Sequence, residues 1–296
     1  MIQGIHHVSA FIKDFKTSHH FYHDILGYRL VKNTVNQENL HMRHLFYGDY
    51  EGTPGTILTY FEIPRIGHTY NGAAYFGRIT LAVPKSSLSF WKERFDRFEV
   101  AAEFDQDGLL FADPDGMEFR LLEVDEVIDP GKATRHSEIP APKQIIQILM
   151  ANFCVNTPLE TEKWLRELGF QGKDGLLGND GAGSYTQVYP SFLTKKTRFG
   201  RGTIDHIAYS LKTKEDVDLL FELAQKLGLE IEEFVDRGYF KSLYLRDPAG
   251  LRVEFASMEP GFTLDEQIED LGETFSLPPF LENKRAEIEA YFGGNL

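Results

Sequence analysis

Apolar and polar residues alternate along 203–211, so a strand is expected there with His206 on one face. A helical stripe of Val217, Leu220, Phe221 and Ala224 follows. It opens with Thr213 and Asp216 as a cap signal and stops at Gly228. Three short strand-like runs come next, and the last, 251–256, follows a turn at Asp247-Pro-Ala-Gly250 and carries Glu254 at its centre. This βαβββ pattern occurs four times. Unit one, 2–63, opens with Ile5-His-His-Val-Ser-Ala-Phe-Ile12, has Asp14 as the helix cap, and carries the stripe Phe15, Tyr22, Ile25 and Leu26 before Gly27. Unit two, 75–124, has a strand at 76–83 and a helix from Ser86 with Leu88, Trp91 and Phe95. It closes with Asp113-Pro-Asp-Gly116 and a strand, as the last unit does. Unit three, 145–195, has Thr157 as a cap with Pro158 at the first helical position. Residues 125–143, with Pro130-Gly131 and Pro140-Ala-Pro142, read as a linker. The fold class is therefore α+β, four βαβββ modules in two domains: 1–143, and 144–296 including a tail from Pro260 with a helical stretch at 282–292.

The repeats bring chemistry with them. His7 lies seven positions before the cap Asp14, and His206 seven before the cap Thr213, so the two histidines occupy one slot in two copies of a unit. Two histidines and Glu254 make the donor set of a non-haem Fe(II) centre with positions left open. The corresponding slots elsewhere hold Met150 in unit three and Arg78 or Ile79 in unit two. Arg120 stands where Glu254 stands, and Thr59 takes that place in unit one, each four residues past a turn glycine. His6 and His7 are consecutive on a strand and are expected to face opposite ways. His19, His20 and His23 fall on the outer half of a helix and read as a solvated face, while His41, His44 and His68 have no spacing that recommends them. Cys154 reads as a buried small hydrophobe, and the glycine-rich run 172–183 as a loop with no phosphate-binding pattern.

Composition narrows the picture. A chain of 296 residues with 42% hydrophobic and 26% charged residues can bury a sizeable core. A formal net charge of −14 argues against nucleic acid or an anionic membrane as partner. No apolar run approaches the roughly 20 residues of a membrane span, and the chain opens in a strand with no evident leader. A single cysteine excludes an internal disulfide and fits a cytoplasmic location.

The units resemble the vicinal oxygen chelate superfamily of glyoxalases, bleomycin-resistance proteins and dioxygenases, and within it the ring-cleaving, hydroquinone-type dioxygenases. The motifs that carry this are Gly4-Ile-His-His-Val8, Tyr47-Gly-Asp49 with Gly52-Thr-Pro-Gly-Thr56, Arg237-Gly-Tyr-Phe240, and Tyr244-Leu-Arg246 leading to Glu254. Pro260-Gly-Phe-Thr263 with Asp265-Glu266 and the later Leu277-Pro-Pro279 complete the set. The resemblance implies domains of the glyoxalase/extradiol dioxygenase type and metal ligands His7, His206 and Glu254. Fe(2+) is the expected cofactor, with Mn, Zn or Ni as other divalent candidates. Tyr244, Arg237 and His6 take catalytic places, and Ser9, Thr59 and Asp205 substrate-binding ones, for a small aromatic substrate and O2. A relative acting on chlorinated hydroquinone has Thr in place of Ser9 and His in place of Asp205, which leaves the substrate open. Homo-oligomerisation is also open. The rival readings are a glyoxalase-type isomerase or lyase, for which the fourth ligand slot holds Thr59, and a non-enzymatic quinone- or drug-binding protein. A shared site requires units one and four to adjoin.

Overall fold

Unit one consists of β1 (Ile2–Ile12), α1 (Phe15–His19), β2 (Arg29–Val35), β3 (Arg43–Gly48) and β4 (Ile57–Glu62). Unit two follows with β5 (Ala74–Pro84), α2 (Leu88–Arg97), β6 (Ala102–Phe104), β7 (Leu109–Ala112) and β8 (Glu118–Val124). Unit three has β9 (Gln147–Val155), α3 (Pro158–Glu167), β10 (Gln171–Lys173), β11 (Leu176–Gly178) and β12 (Tyr185–Pro190). Unit four has β13 (Ile204–Leu211), α4 (Lys214–Leu227), β14 (Glu230–Asp236), β15 (Phe240–Arg246) and β16 (Arg252–Pro260), and the tail ends in α5 (Arg285–Phe292). The computed structural model describes residues 2–136, 138–179, 181 and 183–294.

The cap signals act as expected at two helices: Asp14 accepts from the Thr17 amide and Thr213 from the Asp216 amide. The helix of unit one differs from expectation, since α1 passes at His20 into a π-helical turn that runs to Ile25. Helix α2 is preceded by Ser87 rather than Ser86.

Strand β1 pairs antiparallel with β13, and β5 with β9. The result is two eight-stranded sheets, β14-β15-β16-β13-β1-β4-β3-β2 and β10-β11-β12-β9-β5-β8-β7-β6. Units one and four thus share one sheet, units two and three the other, each across the division at 143/144. Within each half of the chain, the Asp-Pro-x-Gly turn ties neighbouring units together. Tyr22 donates to Asp113 Oδ2 at 2.6 Å, and Thr161 to Asp247 Oδ2 at 2.7 Å. Both aspartates also accept amide hydrogens from their own turns, which close on Gly116 and Gly250 at φ 90° and 85°. One apolar core runs through both halves, with Val8, Ile12, Leu81, Ile148 and Ile207 from the central strands and Trp91, Leu165 and Leu220 from the helices. Burial of such side chains contributes about 1.5–3 kcal/mol each.

The tail packs against the first sheet. Buried Lys32 on β2 is ion-paired to Asp265 at 2.6 Å and to Glu266, with its ammonium 4.8 Å from the Tyr239 ring centre. This cross-link fixes unit one, unit four and the tail beside the concave face of the sheet. Among the described residues no helix is long and apolar enough to cross a membrane.

Candidate metal centre

Alternation along β1 sends Val8, Ala10 and Ile12 into the core and leaves His7 and Ser9 on the concave face. Ile5 shares the parity of His7 yet lies in the core, because the β1–β13 pairing slips between them. This irregularity corrects the expectation that His6 and His7 face apart: their Nδ1 atoms lie 2.9 Å from each other and the rings meet edge-on. Opposite Ser9, β13 presents His206. On β16, Glu254 pairs with Tyr244 of β15. The first and last units adjoin, as a shared site requires.

Three buried donor atoms converge there. His7 Nε2 is 3.2 Å from His206 Nε2, and Glu254 Oε2 is 3.2 Å from the first and 2.9 Å from the second. Among the described residues this is the one such group able to hold a metal ion. The second atom of each ligand is engaged elsewhere. His7 Nδ1 meets His6, His206 Nδ1 meets Asp205 Oδ2 at 2.7 Å, and Glu254 Oε1 accepts from the Ser242 hydroxyl at 2.6 Å. Among the described residues, buried Glu254 Oε2 meets the two imidazole Nε2 atoms and has no further hydrogen-bond partner. These contacts fix each ring so that Nε2 offers its lone pair inward. Spacings near 3 Å suit ligand atoms on one face of an octahedron at about 2.1 Å from its centre, the facial arrangement of two histidines and a carboxylate. The residues present therefore fit a divalent ion.

The electrostatics agree. Burial, reinforced by His7, lowers the His6 pKa to about 3, so that ring is neutral. Burial likewise holds His7 below the ordinary histidine value, against the pull of Glu254. At His206 burial is outweighed by Asp205 and Glu254, which raise its pKa. Burial disfavours the Glu254 carboxylate, but His7 and His206 prevail and hold it well below the usual range. Before any ion arrives the site carries a carboxylate ready to coordinate.

Around the triad is a small pocket with two unlike walls. Unit four supplies Tyr244, whose ring lies edge-on to His206 at 5.5 Å, with the Arg252 and Arg237 guanidiniums 4.1 and 5.6 Å from its centre. Burial, then Glu254, pushes the Tyr244 hydroxyl well above its ordinary pKa, which makes it a neutral donor. Arg237 is held at the mouth by Glu38 at 2.5 Å and Glu233 at 2.6 Å. Unit one supplies Phe46 and Phe61 with His44 between them, ring centres 4.1 and 4.2 Å away. His44 Nε2 lies 3.0 Å from Thr59 Oγ1, which is 2.8 Å from Ser9 Oγ.

Strand register identifies the fourth slot. Thr59 pairs with Ser9, two residues past His7, as Glu254 pairs with Ala208, two past His206. Asp205 stands behind His206, where it also receives Arg252 at 3.1 Å, and borders a separate cavity rather than this pocket. Polar residues beside the triad that escaped sequence reasoning include His44 and Ser242. His44 shares with Phe46 the face of β3 opposite to core residues Leu45 and Tyr47, and Ser242 shares the parity of Tyr244 on β15. Strand parity was the available signal for both. His19, His20 and His23 lie outside the site, but His19 is more enclosed than expected, 3.1 Å from the Tyr47 hydroxyl. Cys154, expected in the core, is half-buried and borders the separate cavity.

A family model described as Glyoxalase/Bleomycin resistance protein/Dioxygenase superfamily matches residues 4–121 and 84–255. The chain is 35% identical over 308 residues to "Putative ring-cleaving dioxygenase MhqA" of Bacillus subtilis, covering 98% of each. It is 30% identical over 313 residues to "Chlorohydroquinone/hydroquinone 1,2-dioxygenase" of Sphingobium indicum, covering 97% of this chain and 95% of that one. The crystal structure of a "putative dioxygenase" from Bacillus subtilis matches with a TM-score of 0.90 at 28% identity, over 98% of this chain and 96% of that one. A mutant glyoxalase I from Zea mays shares the fold at a TM-score of 0.64 and 13% identity, over 86% of this chain and 92% of that one. The chain belongs to the glyoxalase/bleomycin resistance protein/dioxygenase superfamily and, within it, to the MhqA-like family.

Proposed function

We propose that this protein is an Fe(II)-dependent ring-cleaving dioxygenase that inserts O2 into an aromatic diol, with hydroquinones as the substrate class. The observation that carries the reading is the convergence of His7 Nε2, His206 Nε2 and Glu254 Oε2, with Thr59 rather than a fourth strong ligand in the remaining slot. The relatives named for ring cleavage, one of them for hydroquinone, support it. Iron held by the three ligands would supply open positions for a substrate oxygen and O2, and the redox chemistry between them.

The protein's own groups do the rest. Phe46, Phe61 and Phe240 form an apolar slot for the ring and exclude water. Neutral Tyr244 donates a hydrogen bond to the substrate oxygen as negative charge gathers there, then returns or passes on that proton. Arg252 and Arg237 keep the surroundings of Tyr244 positive, favouring an anionic substrate oxygen. Asp205 and His6 set the orientation of the ligand rings. At the mouth, Gln37 donates to the Arg237 carbonyl at 2.6 Å and Glu38 holds its guanidinium, so substrate enters by parting these contacts.

The test is oxygen uptake by the chain loaded with Fe(II) under anaerobic conditions and then offered hydroquinones and catechols. The reading expects uptake matched to loss of the diol, fastest with hydroquinones. Uptake no greater than that of the metal-free chain with every diol would refute it.

A further inference from the structure

The second sheet has a concave face of its own, and it is larger than the first: a cavity of about 1010 Å3 between that sheet, the strap 194–204 and the Asp-Pro-Ala-Gly turn of unit four. Register shows what occupies its ligand slots. Thr80 pairs with both Arg120 and Met150, as Ala208 pairs with Glu254 and Ser9 with His206. Two residues back along β5 is Arg78, so the histidine slots hold Arg78 and Met150. The carboxylate slot of unit two holds Arg120, and that of unit three holds Gln187, which pairs with Asn152. Where the first sheet gathers two imidazoles and a carboxylate, the second presents two guanidiniums beside a thioether.

Two residues of its lining also carry unmet polar atoms. Arg120 is ion-paired to Asp105 and lies 3.4 Å from Asp107 through its terminal nitrogens, but its buried Nε has no partner among the described residues. Asn152 Oδ1 is likewise buried and unpaired among the described residues. Arg78 has a loose partner, Glu118 at 3.6 Å, whose side chain is 66% exposed and competes weakly with a ligand. Phe76, Met117 and Met150 supply apolar surface around these groups. A buried guanidinium N–H and a buried amide oxygen left unpaired are costly, and one ligand can satisfy both: a carboxylate for the arginines, and a hydroxyl donor for Asn152.

We propose that this second concave face is a metal-free binding site for an aromatic hydroxycarboxylate. Arg120 and Arg78 take the carboxylate, Asn152 takes the hydroxyl, and the ring lies against Phe76 and Met150. The recognition is independent of the metal centre, since none of these groups touches it.

The experiment is calorimetric titration of the full chain with 4-hydroxybenzoate, with benzoate and phenol as comparators. Saturable binding is expected, weaker for benzoate and absent for phenol at the same concentrations. It should fall at least tenfold in Arg120→Met and persist in His206→Ala. If Arg120→Met does not fold, Arg78→Met reads the same loss. Absence of saturable binding would overturn the proposal. So would equal affinity for phenol, unchanged binding in both arginine variants, or loss in His206→Ala, which would place the probe at the metal centre.

Discussion

The two sheets of this protein have one architecture and opposite chemistries. Each joins two βαβββ units through antiparallel central strands, and both turn apolar alternates into the same core. In the first, the concave slots carry His7, His206, Glu254 and Thr59; in the second, Arg78, Met150, Arg120 and Gln187. The fold depends on the core-facing residues of each strand, so the inward ones are free to vary without loss of architecture. Their surroundings differ too. The tail encloses the first face through Lys32, Tyr239 and Phe262, while the strap 194–204 borders the second. The cavities meet at Arg252, which borders both and lies over the Tyr244 ring.

The largest expected effect breaks the enclosure of the first face. Lys32→Met leaves Asp265 and Glu266 as uncompensated, largely buried carboxylates. Urea unfolding should then show a loss of about 3–5 kcal/mol, the range for removing one partner of a buried pair. A loss under 1 kcal/mol would mean that the tail does not clamp the units.

Next is Tyr244→Phe, which keeps the ring between Arg252 and His206 and removes the donor. Iron content and melting temperature should hold while kcat for diol cleavage falls roughly 10²–10³-fold. Normal turnover would leave Tyr244 as a packing residue.

A pH effect reads the turn of unit two. Burial raises the Asp113 pKa to about 6, against the hydrogen bond from Tyr22, and burial raises that of Asp247 as well. A carboxyl group whose folded pKa exceeds its unfolded value of about 3.9 favours folding below pH 4, and that contribution is lost as pH rises through 6. Asp113→Asn removes the titration, so its stability relative to the parent should rise between pH 4 and 7 by about 3 kcal/mol. A parallel pair of stability curves would exclude Asp113 as the titrating group.

The smallest effect is Asp205→Ala. With the carboxylate behind His206 gone, iron affinity or turnover should drop about 10–100-fold, as for other groups that orient a metal-bound histidine. An unchanged iron dissociation constant and unchanged turnover would deny Asp205 that role.

Much of this was legible in the sequence because repetition carries position. His7 and His206 stand at equal offsets from their helix caps, and the Asp-Pro-x-Gly turns set Glu254 and Arg120 in register. The union of units one and four followed from the triad itself, since one ion cannot be held by distant strands. What stayed hidden depends on pairing. The slip in β1 that turns His6 against His7 has no local signature, nor does the π-helical turn after α1. His44 and Ser242 read as ordinary strand polars until their strands are placed beside Thr59 and Glu254. Register also decides between Arg78 and Ile79, which offsets from a helix cap left open.

The central claim is that one concave face, and not the other, holds the metal. Anaerobic Fe(II) titration of the full chain, followed by iron analysis after desalting, tests it in the parent, His206→Ala and Arg120→Met. The account predicts one iron per chain in the parent and in Arg120→Met, and little or none in His206→Ala. Two ions per chain, or one retained in His206→Ala, would contradict it.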